Sequence, residues 1–221
     1  MAQRFIRFLL SGVICLSPAV AFSETQSAMY SVGVSKIDIT PDYPIRLTGY
    51  ASRQKESEGV AQRLYARALA FGSDYEKPAI LVTVENCGVP AAIRDEVATG
   101  LREKRHIDPD RFALCSTHTH TSPWVEGFAP NIFGGPIPKD QAQRVKRYTR
   151  ELTDALINVS LRALENRRPA RLTRGVGKAD FAANRRTKDG PVDHDLPALF
   201  VTGSDGKLRA IFLSYAVIAR R

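Results

Sequence analysis

The sequence predicts an α/β domain built on a mixed β-sheet flanked by helices. Three observations carry that expectation. Short runs rich in β-branched residues recur along the chain. Two longer segments repeat their apolar residues at helical spacing. The first of these segments stands between two of the runs, giving the order strand, helix, strand. With 221 residues the chain is long enough for one good-sized domain with a real core, or for part of a larger one. Its 43% hydrophobic and 25% charged residues place it among ordinary globular proteins.

The N-terminus stands apart from this pattern. Arg4 and Arg7 precede an apolar run from Phe8 to Leu16, and Ala19-Val20-Ala21 offers an A-x-A cleavage site. This is the layout of a secretory signal peptide over residues 1–21. The run is short for a membrane span, and Val13-Ile14 ahead of Cys15 lacks the small residues of a lipoprotein signal. The expected product is exported, periplasmic or secreted, and starts near Phe22. Residues 22–30 then form a polar, flexible leader, and the domain itself spans 31–221.

Within the domain, Tyr30 to Ile39 alternates apolar and polar residues as a half-buried strand does, and Thr40-Pro41 ends it. Leu47 to Tyr50 leads into a charged loop, Arg53 to Gly59. Arg63–Phe71 and Pro78–Glu85 are the next two strands, joined by a turn at Gly72-Ser73-Asp74. The second is so continuously β-branched that it is expected at the centre of the sheet. Ile93, Val97 and Leu101 mark a helix over 90–105. Phe112 onward reads as a short buried strand ending in Thr117-His118-Thr119-His120. A loop rich in Gly and Pro follows, from Thr121 to Pro138, and its length and origin assign it a site-lining role. Gly134-Gly135 within it would let the backbone approach a ligand closely. Val145, Tyr148, Leu152, Leu156, Val159 and Ala163 form the apolar stripe of a long helix over 139–166. A strand from Ala170 to Val176 comes next, then the segment Phe181–Arg186. A hairpin of 196–202 and 208–215 turns around Gly203–Gly206.

Charge and cysteine content narrow the function. The net charge of +9 becomes +7 once Arg4 and Arg7 are removed. The excess is spread from Arg144 to Arg186 and over the tail, without the interleaved aromatics of a nucleic-acid platform, so no nucleic-acid partner is expected. It suits weak peripheral contact with an anionic membrane surface, although a solvated helix face accounts for most of it. Cys87 and Cys115 stay in the mature chain, at the ends of expected buried strands, and read as packed free thiols rather than a disulfide framework.

Two of the four histidines fall in the pair His118 and His120, two residues apart. On an extended backbone such residues share a face, and two imidazoles on one face are a standard beginning for a zinc site. A polar loop with solvated histidines is the other reading. A catalytic zinc takes about three protein ligands and an open position, so this pair alone does not complete one. His106, between a helix end and Asp108-Pro109, reads as a surface or cap residue. His194, in Val192-Asp193-His194-Asp195, reads as a turn with solvated charges or a metal ligand. Ser116 and Ser122 lack the flanking glycines of a hydrolase nucleophile elbow.

Thr117-His118-Thr119-His120-Thr121-Ser122-Pro123 resembles the zinc motif T-H-T-H-S-G-P of the neutral/alkaline non-lysosomal ceramidase family. Val32–Pro41 resembles that family's opening strand, and Thr48-Gly49-Tyr50 and Arg63–Ala68 its next two signatures. Asn184-Arg185 resembles an Asn-Arg pair near the substrate, and Leu208–Ala216 resembles the strand carrying the next zinc histidine. The matches keep the family's order over 31–216. The resemblance implies a zinc-dependent hydrolase that cleaves the N-acyl amide of ceramide-like lipids, built on the N-terminal part of a larger catalytic domain. It implies that His118 is a zinc ligand, that His120 orients the reacting amide, and that Arg185 binds substrate or the developing oxyanion. The departures are Ala61 in place of a frequent histidine, Ser122 in place of glycine, and Val217–Arg221 in place of a Cys-His continuation. The family's later zinc ligands, a histidine, a glutamate and a tyrosine, are not in this sequence. A domain truncated at its C-terminus, with weak or absent hydrolysis, is therefore expected, either as a frameshifted fragment or as a short paralogue. The alternative is a non-catalytic secreted protein that binds lipid or metal.

Overall fold

A computed structural model describes residues 28–216 of the chain. The expected signal peptide and the tail Val217–Arg221 lie outside the described residues. Seven strands and two helices follow in the order β1 (Met29–Asp38), β2 (Tyr65–Phe71), β3 (Ala79–Val84), α1 (Ala91–Arg105), β4 (Phe112–Ser116), α2 (Lys139–Glu165), β5 (Arg168–Lys178), β6 (Asp195–Gly203) and β7 (Leu208–Leu213). Met29, expected in a flexible leader, already belongs to β1 and pairs with Arg171, and Tyr30, where the alternating pattern begins, pairs with Ala170.

The strands make one sheet in the order β4-β3-β2-β1-β5-β6-β7. All neighbours are antiparallel except β3 and β4, which run parallel with Ile80 opposite Phe112 and Val84 opposite Ser116. The mixed α/β sheet is thus the one the sequence predicts. Its centre is not. β1 occupies the middle, and β3 lies one strand in from the edge, its apolar run explained by neighbours on both sides.

The main core lies on one face of the β1–β4 half. Ala66, Ala68 and Ala70 of β2 and Ile80, Val82 and Val84 of β3 point to it, as period-2 alternation requires. Both helices cover this face. Val145, Tyr148, Leu152, Leu156, Val159 and Ala163 of α2 are all buried, and Ile93, Val97 and Leu101 of α1 join them. The Tyr148 hydroxyl, carried inside by its ring, donates to the Ile39 carbonyl at 3.0 Å. The end of α2 lies so close to β1 that a Cβ on Gly33 would sit 1.7 Å from the Ala163 carbonyl oxygen. Val32, Leu69, Ala170 and Val201 form a smaller cluster on the other face. β7 is an edge strand, with Leu208, Ile211 and Leu213 roughly half exposed at 56%, 45% and 55%.

α1 ends because His106 adopts a left-handed conformation (φ 56°) and returns its N–H to the Arg102 carbonyl, the cap role expected for it. The 121–138 loop is anchored rather than loose. Val125 is fully buried, and the Trp124 and Phe133 rings meet edge to face at 5.2 Å. Gly134 and Gly135 lie at its exposed tip, where an added Cβ would meet nothing within 4 Å.

Candidate metal centre

The parallel pair β3–β4 brings two chain segments out of the sheet at the same end: Glu85–Gly88 after β3 and Thr117–His120 after β4. Open positions beyond the C-terminal ends of parallel strands are where α/β sheets place ligands. The two segments are stitched together. Thr117 N–H donates to the Val84 carbonyl at 3.0 Å and Thr119 N–H to the Asn86 carbonyl at 3.2 Å. Fully buried Asn86 donates to the Pro123 carbonyl at 3.2 Å and accepts from Gly88 N–H at 3.0 Å. Fully buried Ser122 accepts from Cys87 N–H at 3.0 Å and donates to the Thr119 carbonyl at 2.8 Å.

β4 itself stops at Ser116, and it is a half-exposed edge strand instead of the buried strand expected. The histidines therefore do not share a face by strand alternation. His118 sits in the left-handed region with φ 58°, and this turn brings the two imidazoles together, 4.6 Å between centroids at an angle of 72°. His118 is exposed and His120 half-buried.

His118 is oriented by the residue that Ser122 holds. Its Nδ1 lies 2.8 Å from the Cys87 carbonyl oxygen. A carbonyl only accepts, so Nδ1 carries the proton in this contact and Nε2 keeps its lone pair, the arrangement that second-shell carbonyls impose on metal-binding histidines. The Cys87 thiol lies 3.7 Å from the same Nδ1. Donor atoms of Cys87, His118 and His120 all lie within 4.8 Å of one another. Burial pushes the Cys87 thiol above its ordinary range, and the Thr48 side chain beside it acts in the opposite direction. Both cysteines are free, as expected, although Cys115 is exposed where a packed thiol was expected.

His120 is set by the loop before β2. A Cβ on Gly49 (φ 94°) would lie 2.6 Å from the His120 Cβ, so only glycine lets the two backbones meet here. The Tyr50 ring stands edge to face with His120 at 5.0 Å. Arg53 lies over the Tyr50 ring and donates to the Thr48 and His120 carbonyls at 2.8 and 2.6 Å. Sequence reasoning gave no role to Cys87, Tyr50 or Arg53. The signal for Cys87 was its place just past a strand that runs parallel to the histidine strand.

Arg185 is not brought to the histidines. It lies exposed in the connection between β5 and β6, and three strands separate β5 from β4 in the sheet. Asn184 shapes the turn around it, accepting from Arg186 and Thr187 N–H at 3.0 and 2.9 Å and leaving the Arg185 side chain outward. His194 is exposed in the same connection, its Nδ1 3.0 Å from the Ala179 carbonyl, and it joins no group of three metal-ligating side chains among the described residues.

A cavity of about 870 Å³ lies behind the histidine segment. Thr117, Thr119 and Thr121 line it, while His118 and His120 between them are not among its lining residues. Pro41, Ile45, Leu47, Val60 and Leu64 give it an apolar wall, and Glu85 marks the sheet end.

The family model described as neutral/alkaline non-lysosomal ceramidase, N-terminal, matches residues 30–189. Neutral ceramidase of Drosophila melanogaster is 27% identical over 233 residues, covering 97% of this chain and 31% of its own length. Neutral ceramidase of Drosophila pseudoobscura pseudoobscura is 28% identical over 148 residues, covering 61% of this chain and 21% of its own. The chain thus spans no more than about a third of the curated relatives it matches. The crystal structure of neutral ceramidase from Pseudomonas aeruginosa superposes with a TM-score of 0.71 at 22% identity, over 85% of this chain and 31% of that one. A ceramidase complexed with C2 superposes with a TM-score of 0.69, also at 22% identity. At that identity the superpositions establish a common fold.

Proposed function

The chain belongs to the neutral/alkaline non-lysosomal ceramidase family, and from that membership we propose that its histidine loop serves zinc-dependent hydrolysis of the N-acyl amide of ceramide-like lipids. The observation that carries the proposal is the 2.8 Å contact between His118 Nδ1 and the Cys87 carbonyl. It leaves Nε2 as a fixed lone pair next to a second imidazole, which is the donor chemistry that zinc favours.

In this reading His118 is a zinc ligand, and zinc, when bound, supplies the Lewis acidity of the reaction. His120, held at its backbone by Arg53 and at its ring by Tyr50, orients the reacting amide. Arg185, exposed in the connection between β5 and β6 and away from the histidines, would in this reading bind a part of the lipid substrate remote from the metal centre. The apolar wall behind the threonines offers hydrocarbon a place one residue from each histidine. Arg4, Arg7 and the apolar run after them support export, and peripheral contact with an anionic membrane would present the lipid. No helix among the described residues is long and apolar enough to cross a membrane.

A second reading is a protein that binds metal or lipid without turnover. The meeting of only two imidazoles among the described residues favours it, since a catalytic zinc takes about three protein ligands. Incubating the chain with a short-acyl ceramide and zinc, and measuring fatty acid release against His118→Ala, separates the two. Release lost in the variant supports hydrolysis. Lipid or zinc binding without release supports the second reading.

A further inference from the structure

We propose that the sheet carries a second, independent ligand site on the face opposite the helices: a narrow slot for a single alkyl chain with an anionic head, of the fatty carboxylate class. The slot has a volume of about 270 Å³ and shares no lining residue with the cavity behind the histidines. Val34 of β1, Leu69 of β2 and Leu81 of β3 form one wall, and Ile211 and Phe212 of β7 form the other. Three strands separate β7 from β2 in the sheet, so these walls meet only because the sheet curls on itself. Twist accumulated from strand to strand supplies that curl. The cluster that joins Leu69 to Val201 and Phe212 is its inner side.

Size and charge select the occupant. Pockets for drug-sized ligands run to about 300–1,000 Å³, and a slot below that range suits one slender chain, not a two-chain lipid or a segment of a partner protein. Its charge is one-sided: Lys36, Arg67 and Arg209 line it, and no aspartate or glutamate does. Arg67 is already paired, 2.6 Å from Glu85. Lys36 is exposed, and its ammonium lies 4.4 Å from the Tyr65 ring centroid, a contact that leaves its N–H donors to an anion. Arg209 reaches the Arg168 and Asn166 carbonyls at 3.4 and 3.5 Å and keeps further donors. Neither Lys36 nor Arg209 has a carboxylate within ion-pair distance among the described residues.

An apolar slot flanked by two uncommitted cations fits a hydrocarbon chain that ends in negative charge. Hydrolysis of an acyl amide releases such a carboxylate, but the site rests on its own walls and not on the metal reading of the histidines.

Octanoate is the probe, titrated into the full chain by calorimetry in metal-free buffer. The expected result is saturable binding at one site, tightened about fourfold for each methylene added between hexanoate and octanoate, the gain that burial of a CH₂ brings. Lys36→Gln and Arg209→Gln should each weaken octanoate by about two- to fivefold, as loss of an exposed ion pair does. Leu81→Trp, which fills the slot, should abolish binding, whereas Ala61→Trp, in the wall of the larger cavity, leaves it unchanged. Failure of octanoate to saturate the chain overturns the proposal and leaves the zinc reading of His118 standing. Octanol that binds as tightly as octanoate overturns it too, since the cations then select nothing. Binding that requires added zinc, or that Ala61→Trp abolishes and Leu81→Trp spares, puts the carboxylate at the histidines or in the cavity behind them and overturns it as well. The octanol comparison uses the wild-type chain, so a folding defect in a variant does not obscure the result.

Discussion

Replacing Ser122 with alanine isolates the contact on which the geometry of the site depends. The Ser122 hydroxyl is fully buried, accepts the Cys87 N–H at 3.0 Å and donates to the Thr119 carbonyl at 2.8 Å. In the alanine variant the Thr119 carbonyl keeps the Ser122 N–H at 3.3 Å. The Cys87 N–H keeps nothing, because no other acceptor reaches it among the described residues. A buried donor left unpaired costs about 1–3 kcal/mol, and loss of a single oxygen opens no cavity that would add much. Urea unfolding should therefore show Ser122→Ala less stable by about 1–3 kcal/mol, while Thr121→Ala, one residue away and exposed, stays within about 0.5 kcal/mol. Cys87 also presents the carbonyl that orients His118, so the same variant should weaken zinc binding by about 10- to 100-fold, as loss of a second-shell partner does. A Ser122→Ala protein as stable as wild type, with unchanged zinc affinity, would refute the claim that this hydroxyl positions the loop. The departure from the family's glycine at this place then has a physical content: the serine ties β3's exit to the histidine turn.

Three further outcomes follow from the same geometry. Gly49→Ala must hold a side chain at φ 94° and 2.6 Å from the His120 Cβ, where backbone and not a flexible tip is in the way; a loss of about 2–5 kcal/mol is expected by chemical denaturation, from left-handed strain and overpacking together. Arg185→Ala should leave the unfolding midpoint unchanged, since this exposed side chain bonds to nothing described, and should lower only lipid affinity or turnover. Asp38 feels burial that would raise its pKa, but hydrogen bonds from Thr40 and Arg63 outweigh it and hold the carboxyl below its usual range. Its contribution is therefore present above the unfolded-state pKa of about 3.9 and is lost as pH falls through the lower folded value. The gap in urea midpoint between wild type and Asp38→Asn should be small, because solvent screens the pair, and should vanish in acid.

Much of the fold was legible because its segments have clean periods. The α2 stripe from Val145 to Ala163 and the alternation through β1 each admit one reading, and each appears as expected. What periodicity does not contain is strand order. The apolar run Ala79–Val84 says that β3 lies inside the sheet, where one face is buried and the other half-buried, and a place one strand from the edge satisfies that as well as the centre does. The site was half legible for a similar reason. His118 and His120 were found from their spacing, yet they meet through a left-handed turn at His118, a backbone state that a histidine spacing does not announce. Cys87 lies 31 residues from His118, and only the parallel pairing of β3 with β4 brings the two together. Gly49 and Tyr50 sit still farther away in sequence, and their packing on His120 depends on a loop path that no local pattern encodes.

The central claim is that the loop after β4 is a metal centre whose ligand is His118. Zinc binding to the full chain, measured by competition with a chromophoric chelator and compared with His118→Ala, tests it most directly. The account predicts stoichiometric zinc on the wild-type chain and its loss in the variant, with the far-ultraviolet circular dichroism of the two unchanged. Zinc that fails to bind, or that binds a folded His118→Ala protein equally well, would contradict it.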